Sequence, residues 1–231
     1  MEFPPDLQLI TFDLDDTLWP CMPVILHAES VLHAWLAQHA PKLAAIHNVE
    51  SLREHRKSVT EEQPDIAHNL TLTRQISLHR LLDKYGYDTE LAHQALEIFR
   101  VERNKVTPYE DVTPVLQLLR ESYHLIAVTN GNAEVAQTPL KAYFHHALTA
   151  ESVGASKPDV AMFNEAMRLA NVTPEQTLHI GDDPKTDIEA AHRAGIHSIW
   201  LNRQQRSWPQ ECKPALQEIN QLAQVLRLLG L

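Results

Sequence analysis

Three acids crowd the stretch FDLDDTLWP, residues 12–20. Asp13, Asp15 and Asp16 stand among the apolar residues Leu9, Ile10, Phe12 and Leu14. A carboxylate is costly to desolvate unless it is paired or bound to a metal, so a buried strand ending in such a cluster needs compensating partners. Chemically capable residues recur much later: Thr129-Asn130-Gly131-Asn132, Lys157 within ESVGASKP, and Gly181-Asp182-Asp183 with Asp187 a turn beyond. Each has an ordinary reading on its own. Aspartates cap helices, Asn and Gly make turns, and lysines sit at the surface. Their conjunction, at the ends of successive strands, is what carries information.

Those strands are short apolar runs at residues 7–13, 124–129, 146–150, 177–181 and 196–201. From residue 111 they alternate with helical patterns at 112–122, 133–143, 159–170 and 186–194. One face of the third is made by Val160, Phe163, Met167 and Ala170. Pro158 and Pro174 stand where helix starts are expected. Alternation of this kind predicts a parallel sheet covered on both sides, with functional residues at the carboxyl ends of its strands. Residues 21–107 break the rhythm. Ile25, Ala28, Leu32, Trp35 and Leu36 form one helical stripe, Leu78, Leu81, Leu82 and Tyr85 a second, and Leu91, Ala95 and Ile98 a third. The expectation is an α/β core of residues 1–20 and 108–231, with an all-helical cap at 21–107 inserted after the first strand. Residues 216–229 read as a terminal amphipathic helix.

The chain has 231 residues, 44% hydrophobic and 22% charged, enough for a sizeable core in an ordinary globular protein. A net charge of −10 argues against nucleic acid or an anionic membrane as the main partner. No apolar run approaches the roughly 18 residues needed to span a bilayer. The start, MEFPPDLQLI, lacks a basic leader and an apolar h-region, and Cys21 and Cys212 suggest no disulfide framework, so a cytoplasmic location is expected. No two of the fourteen histidines are three or four apart, the spacing that would set metal ligands on one helix face. Oligomeric state leaves no mark in the sequence.

The constellation, in this order, resembles the haloacid dehalogenase superfamily of aspartyl-phosphate hydrolases. DxDxT is matched by Asp13, Asp15 and Thr17, the second-strand Thr by Thr129, the basic residue by Lys157, and GDxxxxD or GDDxxxD by Gly181, Asp182, Asp183 and Asp187. The resemblance implies a Rossmann-like core with an inserted helical cap. It also implies Asp13 as nucleophile and Asp15 as general acid, then base. Thr129 and the backbone N–H of Asn130 would hold phosphoryl oxygens with Lys157, and Mg²⁺ would be the cofactor. Its direct ligands would be the Asp13 carboxylate, the Asp15 backbone carbonyl and the Asp182 carboxylate, with Asp183 and Asp187 acting behind them.

Physical chemistry supports such roles. Phosphate-monoester hydrolysis is among the slowest uncatalysed reactions, and a carboxylate nucleophile splits it into two easier steps. Five ionised carboxylates would face one lysine, a surplus that a hard divalent cation with oxygen ligands reduces. The expected substrate is a small phosphorylated metabolite. The segments PVILHAES and QPDIAHNLTLTR look like those of bacterial phosphatases acting on flavin mononucleotide and on the riboflavin-pathway pyrimidine phosphate, 5-amino-6-(5-phosphoribitylamino)uracil. His68 and Arg74 are the cap candidates for substrate contact, and Trp19 either lines the entrance or packs in the core. An EF-hand fails, because Leu18 and Val24 stand where Gly and Glu are required. A phosphoacceptor receiver module has its acidic pair on the first strand and its phosphoacceptor on the third, and has no place for the helical insert. Within the superfamily, a haloacid dehalogenase lacks an acid at the position of Asp15, since halide leaves unprotonated, and nothing points positively to a phosphomutase.

Overall fold

The computed structural model describes residues 4, 6–213, 215 and 217–231. Contacts divide the chain into two compact units, Met1–Pro20 with Thr107–Leu231, and Cys21–Val106.

The first unit is built on a six-stranded sheet: β1 (Leu9–Phe12), β2 (His124–Thr129), β3 (His146–Thr149), β4 (Thr177–Gly181), β5 (His197–Leu201) and β6 (Gln217–Ile219). Every pairing is parallel and the spatial order is β3-β2-β1-β4-β5-β6. All four residues of β1 are buried, as both faces of a parallel sheet require. The order reverses at β1, which has β2 on one side and β4 on the other. Phe12 lies beside Ala127 and Ile180, so the carboxyl ends of the three strands open side by side. That is the switch point where open α/β sheets place their ligands.

The second unit is all helical: α1 (Cys21–His39), α2 (Pro41–Ile46), α3 (Val49–Glu62), α4 (Leu70–Lys84) and α5 (Leu91–Arg103), with a 3₁₀ turn at Pro64–Ile66. Its core joins Ala28, Leu32 and Leu36 of α1, Leu78, Leu81 and Leu82 of α4, and Ala92, Ala95 and Phe99 of α5. The buried face of α5 is therefore rotated from the expected stripe. Ala92, Ala95, Leu96 and Phe99 point inward, and Ile98 is only half-buried. The buried Glu29 carboxylate gathers Arg53, Arg56 at 3.7 Å and Arg74 at 3.4 Å. Among the described residues no helix is long and apolar enough to cross a membrane.

The remaining helices belong to the first unit: α6 (Val112–Ser122), α7 (Ala150–Val153), α8 (Ala161–Ala170), α9 (Ala190–Arg193) and α10 (Gln224–Leu228). Met162, Phe163, Ala166 and Met167 of α8 pack on Leu9, Ile126 and Val128 of the sheet. Four further sequence expectations differ from this structure. Residues 133–143 hold only a 3₁₀ turn, Val135–Gln137. Pro139 forces Thr138 into extended backbone (φ −103°, ψ 164°), and the Thr138 hydroxyl donates to the Val135 carbonyl instead. The span 186–194 begins as a π-helical turn, Pro184–Glu189, before α9. The expected terminal helix at 216–229 is instead β6 followed by the five-residue α10, with Leu216 outside the described residues. Three residues with one buried apolar side chain give no readable period, and β6 exists because it pairs with β5. Pro174 opens a single 3₁₀ turn rather than an α-helix.

Candidate active site

Asp13 continues β1, and its N–H donates to the Ile180 carbonyl at 3.0 Å. The residue is 7% exposed. Lys157 Nζ donates to Asp13 Oδ1 at 2.7 Å and to Asp187 Oδ1 at 2.6 Å. The Thr17 hydroxyl lies 3.2 Å from both Asp13 Oδ2 and Asp182 Oδ1. Carboxylate oxygens of Asp13, Asp182 and Asp187 come within 4.8 Å of one another. Residues separated by up to 174 positions in sequence thus share one buried cluster at the strand ends.

The backbone around it explains the placement. Lys157 is held through its main chain: Asn130 Oδ1 accepts from the Lys157 N–H and Asn130 Nδ2 donates to the Lys157 carbonyl, both at 2.7 Å. Thr129 is buried, with its hydroxyl oxygen accepting from Gly131 N–H at 2.9 Å. Asp183 caps the π-helical turn through Oδ1, which accepts from Lys185 N–H and Thr186 N–H. Its own N–H donates to Asp187 Oδ2 at 2.9 Å. Asp187 lies so close over Gly181 that a Cβ there would overlap its Cγ and Oδ2.

Charge follows burial. Desolvation pushes the Asp13 carboxyl well above its ordinary range, and although Lys157 pulls it back, Asp187 and Asp182 push it further up. Burial and the charge of Asp187 raise Asp182 to about 7. Burial also acts upward on Asp187, but Lys157 and His179 outweigh it and hold its carboxyl well below the usual range. Burial disfavours the Lys157 ammonium, yet Asp13 and Asp187 keep it above its ordinary value. Carboxyl groups outnumber cationic groups in the cluster. An all-oxygen donor set short of cationic charge fits a hard divalent cation.

Asp15 is placed by a turn. Asp16 adopts the left-handed conformation (φ 61°), its N–H donates to the Trp19 carbonyl at 2.7 Å, and Asp15 and Trp19 form a backbone bridge. Trp19 is fully buried, and its indole N–H donates to Asp15 Oδ1 at 2.9 Å. In the helical unit, Arg74 is buried, lies over the Phe99 ring at 3.5 Å and pairs with Glu29. Burial and the nearby Arg56 charge lower it to about 9. His68 is half-buried in the segment before α4.

Sequence reasoning passed over several contributors. His179, buried within β4, joins Thr11 to Asp187 through distances of 2.9 Å and 3.2 Å. The ionised Asp187 can only accept, so Nε2 carries the proton and Nδ1 accepts from the Thr11 hydroxyl. An imidazole inside an otherwise apolar strand, two residues before Gly181, was the available signal. Arg206 donates to the Asp182 carbonyl and to Oδ2 at 2.7 Å and 3.0 Å, and Trp200 Nε1 donates to the same carbonyl. Nothing in the sequence singles out Arg206, which comes from an irregular loop.

A sheet of this order, with acids from two strand ends meeting across a buried lysine, is the scaffold of a hydrolase class. The chain belongs to it: residues 7–195 match the family of haloacid dehalogenase-like hydrolases. The protein is 32% identical to the 5-amino-6-(5-phospho-D-ribitylamino)uracil phosphatase YigB of Escherichia coli (strain K12), over 96% of each chain. It is 30% identical to a glyceraldehyde 3-phosphate phosphatase of Methanopyrus kandleri, covering 85% of this chain and 84% of that one. Among solved structures it matches a 2-haloacid dehalogenase from Pseudomonas syringae pv. Tomato DC3000, with a TM-score of 0.91, 39% identity, and 97% and 98% of the two chains covered.

Proposed function

We propose that this hydrolase is a Mg²⁺-dependent phosphatase of a small phosphorylated metabolite, acting through an aspartyl-phosphate in the cytoplasm. The observation that carries the reading is the pair Asp13 and Asp15: one carboxylate held by Lys157, and a second, two residues on, held by Trp19. Halide leaves without a proton, whereas an alkoxide needs one, so an acid beside the nucleophile suits ester chemistry. The likeness to YigB along the whole chain supports it. The likeness to a structure named as a 2-haloacid dehalogenase favours carbon–halogen cleavage as the second reading.

In the proposed cycle an Asp13 oxygen forms a bond to phosphorus as the bond to the leaving oxygen breaks, and Asp15 gives that oxygen its proton. Asp15 then takes a proton from the water that attacks phosphorus, releasing inorganic phosphate and restoring Asp13. Lys157 offsets charge on Asp13 and is itself oriented by Asp187 and Asn130. Thr129 and the backbone N–H of Asn130 would hold phosphoryl oxygens. Asp13, the Asp15 carbonyl and Asp182 would hold Mg²⁺, with Asp183 and Asp187 supporting them. The bound cation would neutralise phosphoryl and carboxylate charge.

Substrate choice is assigned first to the riboflavin-pathway pyrimidine phosphate, with flavin mononucleotide next. The test is phosphate release across a panel of phosphorylated metabolites beside halide release from 2-haloacids. Phosphate release that Asp13→Asn abolishes in a folded protein is expected. Halide release without phosphatase activity overturns the reading.

A further inference from the structure

We propose that Trp19 is a positioning residue for Asp15, its indole N–H holding the carboxyl group for proton transfer to the leaving oxygen. The inference rests on the proposed acid role of Asp15. Trp19 Nε1 lies 2.9 Å from Asp15 Oδ1, and the ring is fully buried. An indole nitrogen donates and never accepts. Asp15 Oδ1 therefore accepts from it, and this contact holds the carboxyl group in one orientation.

The surrounding backbone makes this arrangement specific. Leu18 N–H donates to the Leu14 carbonyl at 2.7 Å, and Asp16 N–H donates to the Trp19 carbonyl at 2.7 Å. The left-handed Asp16 turns the chain back so that residue 19 faces residue 15. Asp15 lies beyond the end of β1, and the buried indole restrains its carboxyl group. In the transfer step the Asp15 O–H bond breaks as the leaving oxygen gains the proton. The P–O electron pair stays on that oxygen, and Asp13 forms the new bond to phosphorus.

Trp19→Phe keeps a buried aromatic ring and removes the N–H. The readout is single-turnover formation of the aspartyl-phosphate from an alkyl phosphate and from p-nitrophenyl phosphate, whose leaving group is stable without a proton. The alkyl rate should fall roughly 10- to 100-fold, the scale of a misplaced reacting group, and the aryl rate far less. In an Asp15→Asn background, Trp19→Phe should leave the alkyl-to-aryl ratio unchanged. Equal falls on both substrates, which a merely structural ring would produce, overturn the inference. So does the same change of ratio in the Asp15→Asn background. If Asp15→Asn itself spares the alkyl substrate, the acid role fails and this inference with it. A selective loss in Asp15→Asn but not in Trp19→Phe overturns Trp19 alone. Should Trp19→Phe fold poorly, β-(3-benzothienyl)alanine at position 19, with sulfur in place of N–H, carries the same comparison.

Discussion

Gly181→Ala adds one methyl group at the most crowded point of the site. Gly181 needs no unusual backbone angle, so the cost is steric. The new Cβ would overlap Asp187 Cγ and Oδ2 and stand 2.6 Å from Asp187 Cβ. Asp187 must then swing away from Lys157 at 2.6 Å, His179 at 3.2 Å and the Asp183 N–H at 2.9 Å. Lys157 keeps only Asp13 as a carboxylate partner. Breaking a buried ion pair from one side costs about 3–5 kcal/mol. For a chain of this length that lowers Tm by roughly 6–20 °C. Thermal and urea unfolding measure it, and the decisive comparison is Gly181→Ala in an Asp187→Gly background, where the obstructing side chain is gone. The methyl group should cost little there. An equal cost in both backgrounds would refute the steric coupling of Gly181 to Asp187.

Two further outcomes follow from the charges. Mg²⁺ at about 100 times its dissociation constant should stabilise the metal-depleted protein by about 2.7 kcal/mol, a Tm rise of roughly 5–11 °C. Asp182→Asn should blunt that rise, and a wild type indifferent to Mg²⁺ would refute the cation site. Burial, and then the neighbouring His145, His146 and Arg120, lowers His124 below the ordinary 6.5, and burial, then Arg120, lowers His145. Their neutral forms belong to the fold, so the stability they contribute is complete above about pH 6.5 and is lost as pH falls through the lowered values. Raised carboxylates such as Asp182 act in the opposite sense, so the comparison is with His124→Phe. Between pH 7.5 and 5.5 the wild type should lose more Tm than this variant, and parallel losses would refute the contribution.

What was legible in the sequence depended on whether local pattern and tertiary outcome agreed. The runs at 124–129 and 177–181 are continuous, apolar and bounded by turn residues, and they are β2 and β4 with those bounds. The helical stripes of α1 and α4 likewise face their core. Helix α3 escaped notice because Val59 is its only fully buried residue. Its register is held by charge, Arg53 and Arg56 meeting Glu29 of α1. Strand β6 owes its existence to β5, and the turn at 133–143 to one proline. In the site, the order of Asp13, Thr129, Lys157 and Asp182 was readable as a series. Beside the contacts these residues make with one another, others come from outside the motifs: His179 meets Asp187, Arg206 meets Asp182, and the Asn130 side chain holds the Lys157 backbone. Such partners are chosen by proximity in three dimensions, which a linear spacing does not encode.

The central position of β1 also sets an order of events during synthesis. Leu9 pairs with His124 and with Thr177, so the first strand made must wait more than a hundred residues for either neighbour. The helical unit Cys21–Val106 is complete before β2 leaves the ribosome, and its contacts are nearer in sequence, which favours early folding. A nascent chain therefore carries a folded helical body behind an unpaired apolar strand, LITF. Such an exposed strand is a natural target for chaperones and for aggregation. Conditions that slow translation between β1 and β4 should penalise the yield of this protein more than those acting after Gly181.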